Sequence, residues 1–278
     1  VADIAELALN GGTAELQSSE TVGSLSGSSN LNLNANTLTV GGTGVSAYSG
    51  VISGSGALVK SGTGTLTLSG SNTYGGTTTV SGGTLSVASD GNLGAGALVL
   101  NGGTLAVTGA TTIDNAVTGP GTVDDAVSNA VTFSGTISGG GSLIKTGAGT
   151  LTLSGTNSYT GTTIIAAGTL LVAASGALAN ESTYEVASGA TFQTADGVTN
   201  VIRGLSGAGN VILGDGTLTV SVEDAVTNTF SGTISGTGTF EKGDLGILVL
   251  TGTNNAVAAD LKMWGHPGVC RRRLHCGW

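Results

Sequence analysis

The chain has 278 residues, among them 51 Gly and only 2 Pro, with 9% charged and 4% aromatic residues and a formal net charge of -9. Average usage is about 7% Gly and about 25% charged residues, so the scarcity of Pro excludes collagen and the mean hydropathy of +0.32 excludes charge-driven disorder. The negative charge argues against nucleic-acid binding through phosphates, and no run reaches the ~18 apolar residues of a membrane helix.

In chain order, Val1 has no basic and apolar leader behind it, so the sequence reads as an internal segment of something longer. VADIAELAL at its start is the only stretch with helical character, enough for a turn or two. The segment 21–40, TVGSLSGSSNLNLNANTLTV, returns at 201–220 as VIRGLSGAGNVILGDGTLTV. A longer unit spans 48–89, YSGVISGSGALVKSGTGTLTLSGSNTYGGTTTVSGGTLSVAS, and returns at 133–174 as FSGTISGGGSLIKTGAGTLTLSGTNSYTGTTIIAAGTLLVAA. About 26 of these 42 positions are identical without a gap. A third, partial copy covers 230–255 and opens FSGTISGTGTFEKGDLGILVL.

A shorter period lies inside the long one. TLTL begins at Thr65, TLSV at Thr84 and TLAV at Thr104, and in the second copy Thr150 and Thr169 repeat the step of 19. Leu66 and Leu68 alternate with Thr65 and Thr67, the period of 2 of a half-buried strand. Gly, Ser, Asn and Thr flank each core and turn the chain. Strands every ~20 residues with no helix between them can pair in parallel only if the crossover is itself strand and turn. The expected fold is all-β: a right-handed parallel β-helix of roughly 14 coils with ~20-residue rungs. Leu, Val and Ile point inward, Thr and Ser outward, Gly supplies corners with positive φ, and charge is sparse because stacked like charges repel. A propeller would need blade-type aromatic signatures, which the 4% aromatic content does not supply.

GTGTLTLSGSNTYGGTTTVSGGTL (62–85) and GAGTLTLSGTNSYTGTTIIAAGTL (147–170) resemble the autotransporter-associated β-strand repeat of type V secreted passengers. The resemblance covers 48–89, 133–174 and part of 230–255. It implies a cell-surface or secreted location at a Gram-negative outer membrane, with an outer-membrane β-barrel translocator as partner. It also implies a passenger stem that supports secretion and surface display, not a catalytic site. The absence of Cys from residues 1–262 suits a chain that crosses an oxidising compartment unfolded. The alternative is an adhesin rod that contacts host glycan or protein along an outer Ser/Thr face. A carbohydrate-active β-helix ranks below both. Exposed strand edges at the two ends would favour end-to-end self-association.

No catalytic, cofactor or metal position is expected in the array. Asp124–Asp125 and Glu223–Asp224 are adjacent in sequence, so they diverge on a strand and are read as loop residues. Arg203, the only Arg before the tail, has no acidic residue nearer in sequence than Asp196. SLIKTG at 142–147 superficially combines S-x-x-K with K-T-G, but Ala57 and Thr239 replace its Ser in the other copies. Its Lys145, with Lys60 and Lys242, is read as a solvated Lys at a strand edge. GLSGAGNVILG (204–214) lacks the third Gly and the helix of a dinucleotide site. Thr-x-Thr pairs at 37/39, 65/67, 150/152 and 217/219 would order water only as an unbroken ladder, and TLSV, TLAV and TLLV interrupt it.

The array is expected over 1–262. Residues 263–278, MWGHPGVCRRRLHCGW, hold both Trp, both His, both Cys and Arg271–Arg273, leaving five basic residues against 17 acidic ones before them. His266, Cys270, His275 and Cys276 are the residue types of a zinc site, but adjacent ligands fit one tetrahedral ion poorly, and the Cys pair equally suits a disulfide. Gly265–Pro267 falls where the second copy has Gly168–Leu170, so the tail is read as a shifted frame or an addition foreign to the array.

Overall fold

Alternation of apolar and hydroxyl residues, repeated every ~20 residues, becomes a stack of parallel strands. The computed structural model describes residues 4–119, 121–125, 129–253, 256–257 and 261–263. The chain is an all-β parallel β-solenoid of about 12 turns. The expected 14 coils are near this count, and rung length varies along the chain, with 18 residues from Asn200 to Leu218. Thr169 pairs with Thr191, 22 residues on, and Asn210 pairs with Thr233, 23 residues on.

Two units, Val1–Ser138 and Gly139–Trp278, divide the chain. In the first, strands Thr65–Leu68, Thr84–Val87, Thr104–Val107 and Gly121–Asp125 pair in order. The sequence spacing is the pairing register: Thr65 lies opposite Thr84 and Thr84 opposite Thr104. Leu66, Leu85, Leu105 and Val123 form one inward column, fully buried. Each such side chain contributes about 1.5–3 kcal/mol relative to exposure. In the second unit, Leu151, Leu170, Phe192, Val211 and Ile234 form the matching column. The outward positions beside them are Thr150, Thr169, Thr191, Asn210 and Thr233.

The start of the chain departs from the helical expectation. Ile4–Leu9 is a strand, paired in parallel with Val22–Gly27. A lone helix of this length is marginal in water, whereas the neighbouring rung offers a full ladder of hydrogen bonds. Among the described residues the one helical piece is a single 3-10 turn at Asp90–Asn92, and no helix is long and apolar enough to cross a membrane.

Glycine does more than turn corners. Gly56, Gly76 and Gly96 sit on successive rungs, where a Cβ on Gly76 would lie 2.3 Å from the Gly56 carbonyl oxygen and one on Gly96 would lie 2.2 Å from that of Gly76. Real Cβ atoms do not come that close. These glycines let one backbone lie directly on the next, which positive φ alone does not explain.

Candidate functional site

The long repeat carries Lys, Asn, Tyr and Thr at fixed positions, and all four turn inward. Lys60 ends the strand Ala57–Lys60 two residues after Leu58 and shares its buried face. Its Nζ donates to the carbonyls of Gly62, in its own turn, and Gly82, one rung on (3.4 Å). Lys145 ends Leu143–Lys145, is fully buried, and donates to Gly147 O (2.7 Å) and Ala167 O (3.1 Å). Gly147 and Ala167 are the counterparts of Gly62 and Gly82 in the second copy. Lys242 is buried too and donates to Asp244 O (2.8 Å), the counterpart of Gly62 in the third copy. The expectation of solvated lysines is therefore wrong. The side chain lies along the interior and its ammonium ties turn carbonyls together. Burial pushes the ammonium pKa of Lys60 and Lys242 below the usual lysine value, and Asp244 partly opposes this at Lys242.

Gly83 and Gly168 close this clamp. Both have positive φ, +58° and +66°. A Cβ on Gly83 would meet Gly64 O at 2.3 Å and the Lys60 Nζ at 2.8 Å. Only glycine satisfies both the left-handed backbone and the space.

Asn72 and Asn157 repeat a second staple. Asn72 Oδ1 accepts from Ile52 N on the preceding rung (2.8 Å), and its Nδ2 donates to Asn92 O on the following one (2.5 Å). Asn157 Nδ2 donates to Ala177 O, the counterpart of Asn92 O, at 2.6 Å. The tyrosines form the third element. Tyr74 hydroxyl bonds Thr78 Oγ1 at 2.6 Å and Tyr159 bonds Thr163 Oγ1 at 2.7 Å, with all four side chains buried. Tyr159 also meets the Tyr184 hydroxyl at 3.3 Å, and Tyr184 stacks on Phe192 with ring centroids 5.5 Å apart. Burial raises the phenol pKa of Tyr74, Tyr159 and Tyr184. Buried polar groups are tolerable only when hydrogen-bonded, and here the bonds run both within a rung and between successive rungs.

The carboxylate pairs go different ways. Asp124 and Asp125 lie on the strand Gly121–Asp125, not in a loop. Asp124 faces outward beside Ala106, while Asp125 occupies the inward position beside Val107 and is fully buried. Extension of the ladder by one more rung draws both into strand and separates them. Glu223 and Asp224 do lie in an exposed turn. Arg203, isolated in sequence, bridges Glu181 and Glu223 (2.8 Å to the latter) from the rungs before and after it. Among the described residues no group of three or more His, Cys, Asp or Glu could hold a metal. The zinc and disulfide readings of His266, Cys270, His275 and Cys276 lie outside the described residues.

The outward Thr column runs Thr65, Thr84, Thr104, Thr122, but its partner column runs Thr67, Ser86, Ala106, Asp124. The paired Thr-x-Thr ladder is broken, as the strand sequences imply. Ser142 stands apart from the buried Lys145 in exposure, and residues 204–214 form two short strands, Gly204–Gly207 and Asn210–Leu213. The inward lysines were missed although their parity with Leu58 and Leu143 placed them on the core face. A charged residue was read by its usual exposure instead of its register.

Residues 58–87 and 143–172 each match the family model described as passenger-associated-transport-repeat. Each match opens just before the clamp lysine and ends with the next rung's TLSV or TLLV strand, so it contains one set of the stapling side chains. No curated protein and no solved structure matches the chain.

Proposed function

We propose that this chain, which carries the β-strand repeats of an autotransporter passenger and folds as its β-helix stem, supports secretion across the outer membrane and holds a distal region away from the surface. The observation that carries the reading is the staple set: the Lys and Asn of each matched repeat tie its rung to a neighbouring one, and its Tyr bonds Thr within the rung. A stem that folds as it emerges needs each new turn to be stable on its predecessor alone. Solenoids have this nearest-neighbour character. Each added rung buries its inward column and completes hydrogen bonds left open by the rung before, which opposes return of the chain through a pore that admits it unfolded. The partner is the chain's own β-barrel translocator, and no catalytic step is assigned. In the same reading, 1–262 is the array and 263–278 is foreign to it.

The test is surface display in cells expressing the full-length parent with Lys60→Met and Lys145→Met together. Protease-accessible passenger should fall several-fold while total synthesis stays constant. Unchanged display of a passenger whose purified form is measurably destabilised would refute the link between staples and export. The outward Thr65–Thr122 column favours a second reading, an adhesin rod. Purified chain that retains binding to host cells or immobilised glycans would support it, and no binding leaves the stem.

A further inference from the structure

The third copy keeps the inward lysine and leucine of the first and changes its outer face. Register carries Thr63, Thr65 and Thr67 of copy one onto Leu245, Ile247 and Val249, and Gly44 onto Val226. The second copy has Ala148, Thr150 and Thr152 at the first three of these positions. Lys60 and Leu66, both inward, correspond to Lys242 and Leu248. Ile247 and Val249 share the outward face of the strand Ile247–Leu250, Leu245 lies in the turn before it, and the three are 49%, 37% and 59% exposed. Ile247 and Val249 flank Thr227 and Thr229 of the neighbouring strand, and Ile247 N donates to Val226 O at 2.8 Å. Val226 is itself 41% exposed. Outward aliphatic side chains gain nothing from the solenoid interior, and a cluster of them on an otherwise hydroxyl-rich face marks a contact surface.

The rim of this patch is acidic. Gly246 N donates to Val222 O at 3.0 Å, which stacks the turn holding Asp244 on the turn holding Glu223 and Asp224. All three carboxylates are exposed at the same end of the strand Ile247–Leu250. Nearby, Arg203 is engaged by Glu181 and Glu223, and the Lys242 ammonium is turned inward. A second copy would bring the same carboxylates against themselves, which like-charge repulsion disfavours.

We propose that Val226, Leu245, Ile247 and Val249 form a docking site for a basic, apolar polypeptide segment, with aliphatic side chains on the row and Lys or Arg against Asp224 and Asp244. The site goes beyond a stem function, since a stem needs only the inward residues. The probe is a fluorescent peptide of alternating valine and threonine with lysines at one end, titrated by anisotropy into the full chain. A second peptide carries glutamates in place of the lysines. The lysine peptide should bind and the glutamate peptide should bind far more weakly. Leu245→Thr/Ile247→Thr/Val249→Thr, which restores the hydroxyl character of copy one, should weaken binding about tenfold, the loss expected from removing a few buried methyl groups. Circular dichroism and thermal melting check that this variant folds. Equal binding of both peptides, or equal binding by the folded triple variant, overturns the proposal. Sedimentation showing a dimer that the triple variant abolishes would also overturn it, by naming a second copy as the occupant.

Discussion

The first and third copies of the long repeat keep the inward lysine and the leucine that follows it, and differ most on the outside. Lys60 and Lys242 are both buried with their ammonium groups on turn carbonyls, and Leu66 and Leu248 both point inward. Yet Thr65 and Thr67 have become Ile247 and Val249. Inward positions answer to the rung above and below, where volume and hydrogen bonds are fixed by stacking. Outward positions answer to whatever lies outside, so they record function or its absence. The two copies also differ in completeness: Leu66 is fully buried, whereas Leu248 is only half-buried.

The largest expected effect sharpens that last difference. Leu66→Ala should lower unfolding free energy by about 3 kcal/mol, the usual scale for a buried Leu. Leu248→Ala should lower it by distinctly less, measured by denaturant titration of both variants. Equal losses would mean the third copy is as tightly packed as the first. Next, Lys60→Met should destabilise by about 1–2 kcal/mol, because two turn carbonyls lose their donor. Lys242→Met should cost less, because its carbonyls belong to its own exposed turn.

Alkaline pH separates the copies through one residue. Tyr48 opens the first copy where Phe133 and Phe230 open the others. Its hydroxyl donates to Ser29 O, and burial pushes its pKa from 10.0 up to about 12. The unfolded chain releases this proton near pH 10 and the folded chain only near 12. Stability present below pH 10 is therefore lost between the two. Lys60 and Lys242 act with the opposite sign. Their lowered pKa makes the folded state give up the proton first, so stability rises as pH climbs toward 10.5. A pH series of denaturant midpoints should rise and then fall, and Tyr48→Phe should soften the fall. An unchanged descent would assign it to Tyr74, Tyr159 and Tyr184 alone. The smallest effect tests the outward face: Thr65→Ile with Thr67→Val, the residues of copy three placed in copy one, should change stability by no more than about 0.5 kcal/mol. A large loss would show that outward hydroxyls hold the rungs together.

Much of the fold was legible in the amino acids because the pairing register is the sequence period. Thr65, Thr84 and Thr104 could be stacked on paper, and the structure stacks them. Alternation sorted Leu66 from Thr65 because successive strand residues take opposite faces. The repeat family was legible for the same reason, since its motif is the outline of two rungs. Three things were decided only in three dimensions. The lysines went inside because the folded turns aim carbonyls at the ammonium, from the same turn at all three and from the next rung at Lys60 and Lys145. Ile4–Leu9 became a strand because the rung after it offered a ladder, a contact between residues 18 apart. Arg203 found Glu181 and Glu223 because one solenoid turn makes residues 22 and 20 positions away into neighbours. Local sequence sets which face a residue takes, and only the stack sets what that face meets.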